Sequence, residues 1–185
     1  MRWDDLFRDL EAQLAAAGAA EMEAEVADRT RREAAQLTVL DRLRAATGRR
    51  VAVRVHGLGL VEGLLAEVGS QWLLLDEGAG REIVLPLTAV LSLSGLSAWT
   101  GVPGSAGQVF VRLGLGSALR AIARDRAPVS TWLVDGSVVS GTIDRVGGDF
   151  VEVSTHPAGE ARRREDVTSV RTLPFVALAA VRSGG

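Results

Sequence analysis

The sequence predicts a mainly β chain with helices (α+β): two tandem small β-barrels behind a long N-terminal helix. Three observations carry this. Residues 129–153 read as a bent three-stranded meander. A weaker copy lies upstream at residues 51–75. Residues 2–47 are rich in Ala, Glu, Arg, Leu and Gln, all good helix formers.

In the helical leader, Leu6, Leu10 and Leu14 recur every four residues, beside Trp3 and Phe7. Leu37, Leu40 and Leu43 form a second apolar stripe. Gly18 and an Ala-rich stretch separate the two, so one helix or two fit the pattern. The stripes can pack on the barrels, or residues 1–47 can serve as an arm for self-association or a protein partner. Gly48 ends the helix, as Gly does just past a helix C-terminus.

The first barrel is expected over residues 48–96. Val51, Val53 and Val55 alternate with Ala52, Arg54 and His56, the period-2 sign of a half-buried strand. Strands follow over residues 60–65, 72–75, 81–87 and 89–93, separated by Gly-containing turns. Residues 97–107 read as a Gly/Ser/Pro linker. A second helix and barrel are expected over residues 108–182. Pro128 stops the helix, and Val129, Thr131 and Leu133 begin the strands. Asp135-Gly136 and Gly147-Gly148 supply turn chemistry, and Gly141 marks a bend or a close backbone approach. Residues 167–173 are taken as the closing strand, and 174–181 as an apolar segment packed on a barrel.

The copies align residue by residue. Gly63, Val68, Gly69, Trp72 and Leu75 fall 78 residues before Gly141, Val146, Gly147, Phe150 and Val153. Leu87 and Val90 are matched to Val167 and Val170 at a spacing of 80. Such a spacing indicates domain duplication.

A helix, an apolar strand, Asp135-Gly136, Gly141-x-Ile143 and Phe150 before an apolar strand resemble the first half of the Sm fold of Sm, LSm and Hfq proteins. VTSVR at 167–171 is similar to its short closing strands. The resemblance covers most of residues 108–173, while the looser first copy equally resembles SH3-like or PRC-barrel modules. It implies small barrels and RNA binding. The β-turn differs from the family pattern in holding Gly147, Gly148 and Asp149, with no Asn anywhere in the chain. The whole chain also resembles a family of uncharacterised proteins from GC-rich bacteria labelled Fis-type transcriptional regulators.

Charge and composition narrow the function. The net charge is −2, so no global basic field attracts a polyanion. All 21 basic residues are Arg. Residues 108–185 carry ten Arg against eight acids, making this the side for RNA or DNA. The candidate contacts are Arg145, Arg162, Arg163, Arg164, Arg124 and Arg126, with Trp132 as a base-stacking surface. Trp99 is a second surface aromatic, whereas Trp72 and Phe150 are expected in the core.

With no Cys there is no disulfide, thiolate metal site or Cys nucleophile. His56 and His156 lack a second ligand at metal spacing, so neither metal nor cofactor is expected. Asp135 and Asp149 suit turns rather than a carboxylate pair. The acidic N-terminus is unlike a signal peptide, and Pro and Gly interrupt the longest uncharged stretch, so a cytoplasmic protein without a membrane span is expected. The expectation is a non-enzymatic, nucleic-acid-associated regulator, RNA before DNA. The alternative is a protein-interaction adaptor using the N-terminal helix and the barrel edges.

Overall fold

The alternation of Val51, Val53 and Val55 becomes a strand whose three valines are buried and whose intervening residues are not. In the computed structural model, which describes residues 18, 21–32, 34–96, 113–155 and 169–183, ten such strands form. They are β1 (Arg50–Val55), β2 (Gly59–Val68), β3 (Trp72–Gly78), β4 (Arg81–Pro86), β5 (Val90–Ser94), β6 (Pro128–Leu133), β7 (Val138–Val146), β8 (Phe150–Thr155), β9 (Ser169–Pro174) and β10 (Leu178–Ser183). The helices are α1 (residues 21–32 and 34–36), α2 (Val39–Ala45) and α3 (Leu115–Asp125).

The chain divides into two compact units, Met1–Thr38 and Val39–Gly185. The first contains α1, whose described residues are exposed, Met22 and Val26 included. The helical leader is therefore interrupted: residues 37 and 38 are not helical, and α2 belongs with the sheet. Leu43 and Ala46 are fully buried there, and Leu40 packs beside them. The arm expected over 1–47 is thus a separate unit only to Thr38. The Leu6, Leu10 and Leu14 stripe and the linker 97–107 lie outside the described residues.

The expectation of two tandem closed barrels is overturned. All ten strands belong to one antiparallel sheet, in the order β5-β1-β2-β3-β4-β10-β6-β7-β8-β9. The joint is made by β4 and β10, with Val84 opposite Val181, Ile83 opposite Arg182 and Glu82 opposite Ser183. The physical reason is edge satisfaction. Strand β4 would otherwise present unpaired amides and carbonyls beside the buried side chains of Ile83, Val84 and Leu85, and β10 covers that edge. The segment taken as packing on a barrel is thus the strand that fuses the halves.

The duplication itself is visible in the pairing. Val51 faces Gly63 as Val129 faces Gly141. Val53 faces Leu93 as Thr131 faces Val181. Leu75 faces Ile83 as Val153 faces Arg171. Strands β1–β3 thus correspond to β6–β8, and β4 and β5 to β9 and β10. The irregularity between Leu65 and Glu67 recurs between Ile143 and Arg145. For the last two strands the spacing is 88, not 80: Pro86 matches Pro174, and the 3-10 turn Leu87–Ala89 matches Phe175–Ala177. The connection between β8 and β9 is longer than that between β3 and β4. Consequently β9 matches β4 and is not the closing strand, a role that falls to β10.

Two apolar cores flank the joint, and each borrows from the other half. Ala179, Ala180 and Trp132 pack with the core built on Leu43, Val53, Leu65 and Leu75. Trp72 and Val84 pack with the core built on Leu119, Val129, Ile143 and Val153. Helix α3 lies over β7 and buries Leu115, Ala118 and Leu119, an amphipathic stripe with Arg120 and Arg124 on its exposed side. Burying each such Leu or Val stabilises the fold by roughly 1.5–3 kcal/mol. Sharing them across the joint makes the halves depend on one another.

Candidate interaction surfaces

Strand pairing leaves two ends to the sheet. Among the described residues, β5 pairs only with β1, and β9 only with β8. Each therefore presents a row of backbone N–H and C=O groups, a template for another strand. These two strands are the counterparts of β10 and β4, which satisfy each other at the joint.

Burial differs between the strands with two neighbours and their counterparts with one. Ala179 in β10 is fully buried, whereas its counterpart Leu91 in β5 is 59% exposed. Val84 in β4 is 3% exposed, whereas its counterpart Thr172 in β9 is exposed. Val170 in β9 and Val176 in the adjoining turn are also exposed apolar side chains. The ends thus carry apolar residues that a further strand would cover.

Of the residues expected to contact nucleic acid, the described ones come from α3 and its cap, β6 and β7. Arg124 and Arg126 are exposed near the C-terminal end of α3, with Arg126 in the left-handed conformation at its cap. Arg120, one turn earlier, donates to the Gly147 carbonyl at 3.2 Å. Arg145 faces Glu152 on β8 at 3.4 Å, so its charge is partly offset. Arg162, Arg163 and Arg164 lie outside the described residues, as do Trp99 and His156. Trp132 is not an open stacking surface. It is half-buried against the first core, and the Arg182 guanidinium sits 4.7 Å from its ring centroid. Arg182 in turn donates to Glu77 through Nε at 2.6 Å and Nη2 at 2.8 Å. That bidentate pair spans β10 and β3 on the two sides of β4, and sequence reasoning missed it.

Trp72 is buried as expected, and its indole N–H donates to the Leu113 carbonyl at 2.9 Å, while Phe150 is half-buried. The His56 ring Nδ1 lies 2.5 Å from the Val134 carbonyl oxygen, which ties the β1–β2 turn to the β6–β7 turn. Asp135 accepts from the Ser137 hydroxyl at 2.7 Å and its amide at 2.9 Å. Those bonds hold its carboxyl below the usual carboxylate range, a turn-forming role.

Between α3 and the outer face of β3–β4 runs a groove of about 350 Å³, floored by Trp72, Leu74, Val84 and Ile122. Glu67, Glu82 and Asp125 rim it. Among the described residues no three His, Asp or Glu side chains are grouped to hold a metal ion, and no helix is long and apolar enough to cross a membrane. No protein-family model matches the chain, and no curated protein matches it.

Proposed function

We propose that this is a non-enzymatic cytoplasmic adaptor that binds a polypeptide strand at the ends of its sheet. One observation supports the reading above others. Leu91 is 59% exposed on β5, which among the described residues has one neighbouring strand, while its equivalent Ala179 on β10, which has two, is fully buried. Strand addition supplies main-chain hydrogen bonds for affinity, and pockets for alternate side chains supply selectivity. The combined variant Leu91→Lys with Thr172→Lys places charge on both ends at positions already exposed. It is expected to keep its thermal midpoint and to lose co-purifying partners by about tenfold or more, the equivalent of roughly 1.4 kcal/mol. Undiminished partner recovery would remove the edge reading.

A second reading, association with nucleic acid and RNA before DNA, is favoured by Arg124 in the last turn of α3 and Arg126 at its cap, both exposed. It predicts binding that falls steeply with salt. The double variant Arg124→Ala with Arg126→Ala should weaken it across all sequences and flatten the log–log salt slope by about one per arginine. An unchanged slope in a filter-binding titration counts against this surface.

A further inference from the structure

We infer that the strand taken up at each end of the sheet belongs to a second copy of this chain, and that copies join head to tail, β5 of one along β9 of the next. This rests on the edge reading above and commits it to one partner. The joint inside the chain supplies the template. There, β10 lies antiparallel to β4 in a defined register. Their repeats are β5 and β9, and among the described residues these are the two strands with one neighbour instead of two. Each molecule thus already contains one satisfied junction and carries the two halves of another.

The internal register transfers to the new one residue by residue. Arg182 opposite Ile83 becomes Ser94 opposite Arg171, and Val181 opposite Val84 becomes Leu93 opposite Thr172. The fit is chemical as well as geometric. Ser94 and Arg171 are exposed in the single copy, so both are accessible to a neighbouring strand. Leu91 is 59% exposed on β5, so a strand laid along that edge would remove part of its surface from water. Because the two ends differ, the contact is heterologous. Repetition then closes a ring or extends a filament, according to the rotation between copies.

The absence of Cys allows a clean test. The single variants Ser94→Cys and Arg171→Cys are made in the full chain, oxidised separately, and oxidised as an equal mixture. Directly opposed side chains of antiparallel strands have Cβ atoms about 4.5–5.5 Å apart, close enough to bridge after a small adjustment. The expected result is a disulfide-linked dimer in the mixture and none in either variant alone. Native mass spectrometry of the unmodified protein should show assembly that Leu91→Lys with Thr172→Lys reduces about tenfold. Cross-links within the separate variants would overturn the head-to-tail polarity. A monomeric protein without cross-links would overturn self-assembly altogether. If such a monomer still loses its partners on edge substitution, the adaptor reading stands and only the identity of the occupant falls.

Discussion

Gly141→Ala is expected to destabilise the protein by about 3 kcal/mol or more, at or beyond the upper end of ordinary overpacking. The cause is space, not backbone conformation. A Cβ built on Gly141 would lie 2.0 Å from the Ser154 carbonyl oxygen and 2.8 Å from its carbonyl carbon. Gly141 pairs with Val129 on one side and Thr155 on the other, so it cannot retreat without disturbing β6 or β8. The obstructing atoms are backbone, and no rotamer change relieves them. Its counterpart Gly63 faces the Asp76 carbonyl oxygen at 2.7 Å, a milder clash. Gly63→Ala should therefore cost less. Urea denaturation of the two variants checks the order, and a Gly141→Ala midpoint near that of the parent would show that the strands are not so close. Against a typical total stability of roughly 5–15 kcal/mol, a loss of this size lowers the midpoint substantially.

Gly57→Ala should be comparably damaging for two reasons acting together. Its φ is +71°, where a Cβ costs roughly 1–2 kcal/mol. Its Cβ would also lie 2.4 Å from the Leu133 carbonyl oxygen and 2.9 Å from both the Gly136 amide nitrogen and the Val134 carbonyl oxygen. These atoms belong to the β6–β7 end of the other repeat, so the clash falls on the contact between the halves. Gly59 provides the control. It too has positive φ, at +96°, but nothing lies within 4 Å of its Cβ position. Gly59→Ala should show the conformational cost alone, and Gly57→Ala roughly 1–3 kcal/mol more. Equal losses from the two substitutions in calorimetry would mean that the two turns do not touch.

The duplication was legible because glycine leaves a mark wherever backbones approach closely. Gly63 and Gly141, and the turn glycines Gly69 and Gly147, hold equivalent places at a spacing that matches the strand register. The alternation in Val51, Val53 and Val55 likewise matched burial residue for residue. The matching of the final strands failed because the connection after β8 is longer than its counterpart, which displaced the alignment. The better signal was Pro-x-x-Ala followed by an apolar strand, present at Pro86 and again at Pro174. The apolar run Leu178–Val181 contains no polar alternation because both faces are covered, so it reads equally as a strand or a packed tail. The expected arginine surface was legible only as composition. Neither the Glu152 partner of Arg145 nor the Arg182 over Trp132 has a local sequence signature.

From the chain alone came the repeat, the strands, the turns and the Gly-dependent bends, all of which depend on neighbours a few residues away or on matching positions between copies. Tertiary structure alone decided that the copies share one sheet, that β10 seals β4, and that β5 and β9 are left at the ends. Which strand covers which edge is a competition between distant segments. It is settled by the combined burial and hydrogen bonding of whole strands, and no local pattern records its outcome.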